Sequence, residues 1–383
     1  MSKNQKLYPF KIESAGLDEN SIVANGFLSE NTIDDIIETY LGEIAGNENF
    51  QYYKGIFPIK VSFSSIEKEL SLQTHPDNLT AAERYMSLGK DKLWYITKST
   101  PDTTMFLGFK EEMDATGFYN GCIANTLKES LYSFNPKEGD YIYIKPGCIH
   151  GVTGTLEFIE ISQNSDVTYH LTGEDASLEV AEAIDIIDYT KTNETTCRFQ
   201  NANSGFGQTE IVKSNGFIIK QLNPETESSF TSAPKESFIA YLCLNGGATI
   251  EHEGKCYEFG KNEIILIPAG MESFKFIANG SGSEFLEITL PEVSEIEEDL
   301  YMNYYEDESN YPTGSGTDPE EDDDCDCEDD DCDCGHHHCG DDCHCEGHHH
   351  EHDHHHEHDH HHEHQQDDDD TKGQHPGEFF FRR

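Results

Sequence analysis

The chain has 383 residues, enough for two domains or slightly more, and its 75 acidic against 25 basic residues give a formal net charge of −50. Between Asp318 and Asp370 lie 24 of the acidic residues and no Lys or Arg. Such a balance repels nucleic acid and anionic membrane surfaces, so neither is expected as a partner. No run of roughly 18 apolar residues occurs and the opening MSKNQKLYPFKIES lacks an apolar segment, which predicts a cytoplasmic protein without a membrane span. Five Cys (Cys122, Cys148, Cys197, Cys243, Cys256) are scattered irregularly through the body and read as reduced packing residues.

In chain order, Asn31 to Leu41 places apolar residues at 33, 36, 37, 40 and 41, a helical period opened by a capping Asn or Thr. Phe57 to Phe63 alternates and reads as a strand leading to Leu70-Ser71-Leu72-Gln73-Thr74-His75. Residues two apart on a strand share a face, so Gln73 and His75 aim at one point, and Pro76 stops the strand behind them. Strands at 93–96 and 105–109 follow, then helical residues over 110–132 with a short helix at 125–132. Strands return at 140–145 and 155–161, giving one barrel with a helical insertion. Leu178 to Tyr189 reads as a bridging helix, and seven short strands from Gly216 to Leu290 alternate with Gly- and Asn-rich turns. Gly260…Pro268-Ala269-Gly270 echoes Gly139…Pro146-Gly147, but the second half has Glu272 where His150 would fall and no Gln-x-His. It reads as structural. Residues 305–383 have too few apolar side chains to repay ordering.

Gln73, His75 and His150, the last just after the Pro146-Gly147 turn, have the residue types and placement of three ligands to one first-row metal, zinc foremost. The alternative is two half-buried polar strand residues and a loop histidine. The residues alone leave both open.

Four linked motifs carry a resemblance. LSLQTHPDN, GKDKLWYI, KEGDYIYIKPGCIHGV and EFIEISQNSDVTY, in this order within about residues 7–291, resemble the type I mannose-6-phosphate isomerases, and LYPFKIES resembles their short bacterial form. The resemblance implies a mainly β fold of two cupin-type (jelly-roll) barrels with a small helical insertion. The first barrel, with the site, would span 1–175. The bridging helix and a structural second barrel would span 176–300, and a disordered acidic tail 301–383. It further implies interconversion of mannose 6-phosphate and fructose 6-phosphate through an enediolate, with one zinc in the first barrel. A sugar phosphate and metal ions are the implied partners, and the chain would be a monomer or weak dimer.

Carried over residue by residue, Gln73, His75 and His150 match metal ligands, Lys90 a lysine assisting proton transfer, and Glu160 a site carboxylate. Two positions depart from the pattern. Lys92 stands where the family has a Glu ligand, and His170 follows Thr168-Tyr169 where the family has a catalytic Arg. An ammonium in place of a carboxylate shifts the local charge by two units beside a dication. Zinc would then be held by a weakened site. Two further readings are that Lys92 and His170 swing to solvent, or that Lys90 and Lys92 replace part of the metal's charge.

The tail adds a reading of another class. Cys325, Cys327, Cys332, Cys334, Cys343 and Cys345 form three Cys-x-Cys units, interleaved with His336, His337, His338, Cys339 and His344. His348 to Asp353 (HHHEHD) recurs as His354 to Asp359. Thiolates and imidazoles together suit additional transition-metal ions. The alternative function is therefore a catalytically inactive family member that binds, buffers or senses transition metals through this tail.

Overall fold

Alternating Val, Ile, Phe and Tyr dominate the body, and in the computed structural model these patterns become strands. The structure describes residues 6–296 apart from 14, 173–175, 194–196, 201–206, 225–228, 233 and 235. All of these lie in one compact unit, Met1–Gly314. The tail motifs lie outside the described residues.

After β1 (Phe10–Lys11) come three short helices, α1 (Ile33–Tyr40), α2 (Gly42–Ala45) and α3 (Asn47–Tyr52). Thr32 caps α1 with a capping box. Its hydroxyl accepts the Asp35 backbone N–H at 3.1 Å, while the Asp35 carboxylate accepts the Thr32 N–H at 3.1 Å. The first half continues through β2 (Ile59–Ile66), β3 (Glu69–Thr74), α4 (Asn78–Tyr85), β4 (Lys92–Ser99), β5 (Thr104–Phe109) and α5 (Ala115–Ile123). It closes with β6 (Leu131–Phe134), β7 (Asp140–Ile144), β8 (His150–Thr153), β9 (Leu156–Gln163), β10 (Tyr169–His170), α6 (Ala176–Ala183) and β11 (Arg198–Gln200). The second half holds β12 (Gly207–Lys213), β13 (Ile218–Asn223), β14 (Ser229–Ser232), β15 (Ile239–Asn245) and β16 (Gly247–His252). It ends with β17 (Lys255–Gly260), β18 (Ile264–Ile267), β19 (Phe274–Ala278) and β20 (Glu284–Thr289).

Four antiparallel sheets result, in two face-to-face pairs. In the first half, β10-β3-β8-β5-β6 faces β11-β7-β4-β9-β2 across Trp94, Ile96, Met105, Leu107, Ile144 and Phe158. In the second half, β1-β18-β15-β20-β13-β12 faces β14-β19-β16-β17 across Tyr241, Ile265, Phe276 and Phe285. The outer faces of two of these sheets pack on each other. Leu93, Ile159 and Ile161 share one core cluster with Leu242, Leu286, Ile288 and the helical Ile36 and Ile37. Both halves therefore contribute to one continuous core.

Three expectations change in detail. The helix expected over 125–132 is a single 3-10 turn at Leu127–Ser130, because Asn125 adopts φ 55° and stops the preceding helix. The bridging helix ends at Ala183, since the chain beyond is drawn off where the Asp188 N–H donates to the Gly147 carbonyl at 3.0 Å. Cys256 is exposed on the β16–β17 hairpin, not packed, although it and the other four body cysteines are free as expected. Among the described residues no helix is long and apolar enough to cross a membrane.

Candidate active site

The site lies between the two first-half sheets. β3 ends at Thr74, one residue before His75, as Pro76 requires. A bulge between Leu70 and Gln73 resets the β3–β8 register so that Gln73 sits directly opposite His150. The Gln73 amide nitrogen lies 3.2 Å from His150 Nε2, and the His75 and His150 rings are 5.1 Å apart. Gln73, His75 and His150 converge.

Both imidazoles are held in one tautomer. His75 Nδ1–H donates to the Val167 carbonyl at 2.9 Å, and His150 Nδ1–H donates to the Cys148 carbonyl at 3.1 Å. Each Nε2 is left with a lone pair. That of His150 accepts from Gln73, while His75 Nε2 is buried with no hydrogen-bond partner. Burial holds His75 well below its ordinary pKa, and the Lys92 ammonium lowers it further. Burial, again with Lys92, takes His150 down to about 3. Neutral imidazoles are the metal-binding form.

The opposing sheet supplies charge. The Lys92 ammonium lies 3.1 Å from Glu160 Oε2, and Trp94 Nε1–H donates to the same oxygen at 2.7 Å. The Trp94 ring meets His150 edge-on at 5.9 Å, joining the two sheets. Lys92 does not swing to solvent: its side chain is only 5 % exposed. Lys90 is also buried, and desolvation, then the neighbouring Lys92 charge, pull its pKa down to about 8. The intervening Asp91 points the other way, accepting from the Tyr143 hydroxyl at 2.7 Å. Gly89, just before this segment, packs against the N-terminus of α4, where a Cβ would strike the Asp77 backbone.

His170 falls outside this convergence. Its side chain is 53 % exposed, and Nδ1 meets Glu179 Oε2 at 3.0 Å. Sequence reasoning missed Trp94, which anchors Glu160, and Val167, whose carbonyl orients His75. A backbone acceptor leaves no signature in a sequence. A separate cavity of about 900 Å³ opens beside Tyr8, Asn25 and Tyr257, where Lys6 is already paired with Glu253 at 2.7 Å.

The donor set fits a cation in part. Two locked imidazoles, one with an unpartnered buried nitrogen, and the Gln73 amide, whose oxygen would face them after a half-turn of the amide, make three neutral donors. Among the described residues no three His, Cys, Asp or Glu side chains are placed to hold a metal ion together.

No protein-family model matches the chain. The mannose-6-phosphate isomerase of Streptococcus mutans is 23% identical over 268 residues, 67% of this chain and 81% of the relative. The isomerase ManA of Bacillus subtilis is 24% identical over 271 residues, 67% of this chain and 81% of the relative. The chain resembles the mannose-6-phosphate isomerases. The fold agrees with this likeness. The crystal structure of the Bacillus subtilis mannose 6-phosphate isomerase superimposes with a TM-score of 0.55 at 19% identity, covering 70% of this chain and 85% of that one. A mutant phosphomannose isomerase from Salmonella typhimurium gives a TM-score of 0.58 at 12% identity, covering 72% and 90%.

Proposed function

We propose that the protein is an aldose–ketose isomerase that interconverts mannose 6-phosphate and fructose 6-phosphate in the cytoplasm. The observation that carries this reading is the meeting of Gln73, His75 and His150 with Lys90, Lys92 and Glu160 across one sandwich, with His75 Nε2 buried and unpartnered. We read the two sandwiches as cupin-type barrels, the first over 1–175 holding the site and the second over 176–300 structural, with β1 and β11 each lent to the other half's sheet.

Isomerisation moves a proton between adjacent carbons and develops charge on a sugar oxygen. Lys90, with a pKa of about 8, has a sizeable neutral fraction near pH 8 and takes and returns that proton. Glu160, fixed by Trp94 and Lys92, orients the sugar hydroxyls, and the Lys92 ammonium places positive charge beside the developing oxyanion. Gln73, His75 and His150 would hold zinc, which when bound supplies Lewis-acid stabilisation of that oxyanion. With three neutral donors and an ammonium nearby, the retention of zinc is weak.

The test is conversion of mannose 6-phosphate to fructose 6-phosphate by the full chain in added zinc, from pH 6 to pH 10. We expect kcat to rise through about pH 8 and to fall by about 100-fold or more in Lys90→Met. Turnover that Lys90→Met leaves intact would remove the proposed base, and no turnover at any pH would remove the isomerase reading. The Cys and His of residues 325–364 are proposed separately as a site for further transition-metal ions, supported by their three Cys-x-Cys units.

A further inference from the structure

Between Lys90 and Lys92 stands Asp91, a buried carboxylate that the proposed chemistry leaves unused. Alternate residues of an extended segment face opposite ways, so the two lysines enter the first sandwich while Asp91 turns to its outer face. The register agrees. Leu93, two residues on, pairs with Tyr143, and the Tyr143 hydroxyl donates to Asp91 Oδ1 at 2.7 Å. Leu93 belongs to the core cluster shared with the second half, so Asp91 points towards the other sandwich.

A carboxylate is costly to bury unless donors meet it. Burial pushes the Asp91 pKa up, and the Tyr143 hydroxyl, the Ser214 hydroxyl and the Gly216 N–H oppose that rise. The last two come from the second half, from the turn joining β12 to β13. That turn is closed on itself: Ser214 N–H donates to the Phe217 carbonyl at 3.0 Å, and Ser214 Oγ accepts the Phe217 N–H at 3.3 Å. It also presses on Gln163, since a Cβ on Gly216 would lie 2.6 Å from Gln163 Cγ.

Gln163 continues the clamp. Its backbone N–H donates to the Asp91 carbonyl and its Oε1 accepts the Asp91 N–H, each at 3.1 Å. Its Nε2 donates at 3.0 Å to Asn78 Oδ1, which also accepts the Gly89 N–H at 3.0 Å. Lys90 N–H donates to the Pro76 carbonyl at 3.1 Å. Three successive N–H groups thus have fixed acceptors, and a satisfied buried network holds one geometry. We infer that Asp91 is a positioning residue: gripped by Tyr143 and by the Ser214–Phe217 turn of the second half, it fixes the backbone from which Lys90 and Lys92 project into the site. This rests on the isomerase reading and gives the second sandwich a part in it. Asn at this position would still accept from Tyr143 but would turn an amide donor towards the donors of the turn.

The test compares the full chain as wild type, Asp91→Asn and Ser214→Ala. Each is measured by steady-state kinetics with mannose 6-phosphate in added zinc and by NMR titration of isotope-labelled lysine, Lys90→Met assigning the Lys90 signal. Thermal melting checks folding, and Tyr143→Phe replaces Asp91→Asn if that variant does not fold. The charged groups facing Lys90 are Lys92, Glu160, Asp166 and Lys60, and none is altered. In Asp91→Asn, kcat is expected to fall by about ten-fold with KM within about two-fold, and in Ser214→Ala by about three-fold. The Lys90 titration is expected to move up from about 8 in both, as the loosened segment lets water reach the ammonium. With an active wild type, an Asp91→Asn variant that keeps either its kcat or its Lys90 titration overturns the assignment, whatever its melting temperature. If the wild type turns over no sugar while both variants still move the Lys90 titration, the clamp stands and the isomerase reading falls.

Discussion

Lys92 sets the charge of the pocket, and its energetics can be isolated. Its ammonium is buried and held by Glu160 at 3.1 Å, with Trp94 completing the carboxylate's bonds. Burial lowers the Lys92 pKa and the Glu160 charge opposes that shift. Breaking such a pair from one side strands a charge in low dielectric, whereas removing both partners does not. Glu160→Gln is therefore expected to cost about 3 kcal/mol in urea unfolding, and the double variant Glu160→Gln/Lys92→Met to recover most of it. A single variant within about 0.5 kcal/mol of wild type would show that the pair is solvated and sink this account. His170 is the contrast. It is exposed and turned away from the site, and its Nδ1 lies 3.0 Å from Glu179 Oε2.

At the scale of elements, the Pro146–Gly147 turn fixes where His150 begins β8. Gly147 N–H donates to the His75 carbonyl at 2.8 Å, and its own carbonyl accepts from Asp188 at 3.0 Å, so one residue ties three segments of chain together. It adopts φ 76°, and an added Cβ would lie 2.5 Å from the Ile186 carbonyl oxygen. Gly147→Ala is expected to lose about 1–3 kcal/mol of stability, seen as a lower melting temperature, and to weaken turnover by moving His150. An unchanged melting temperature would mean that the turn relaxes freely. This turn, the Gln73-x-His75 strand end and the alternating strands were legible because each is written in neighbouring residues. What was not legible depends on partners far along the chain. The β3 bulge needs β8, Lys60, Ser162 and Lys92 come side by side only once β2, β9 and β4 are in register, and β1 adds to the second-half sheet by pairing Phe10 with Leu266. A period-2 pattern fixes which residues share a face, but not which strand lies alongside.

For the whole molecule, the shared cluster joining Ile36, Leu93, Ile161, Leu242 and Ile288 makes the two sandwiches one cooperative structure. The Cys/His-rich segment, with few apolar side chains to bury, carries its own chemistry, with seven Cys and seventeen His beyond residue 324. Stability and metal capacity should therefore separate on truncation. A chain ended after about residue 310 is expected to melt within a few degrees of the full chain and to hold at most about one zinc. The full chain is expected to hold several at pH 7.5 and to release most of them by pH 5. The sign follows from the ligands, because imidazole and thiolate must lose a proton to bind, so falling pH favours the metal-free form. Weak zinc retention in the pocket and dense donors in the tail predict that the tail competes for scarce metal. At limiting zinc, the truncated chain should then turn over faster per molecule than the full chain, and equal rates with equal zinc counts would show that residues 325–364 bind no metal.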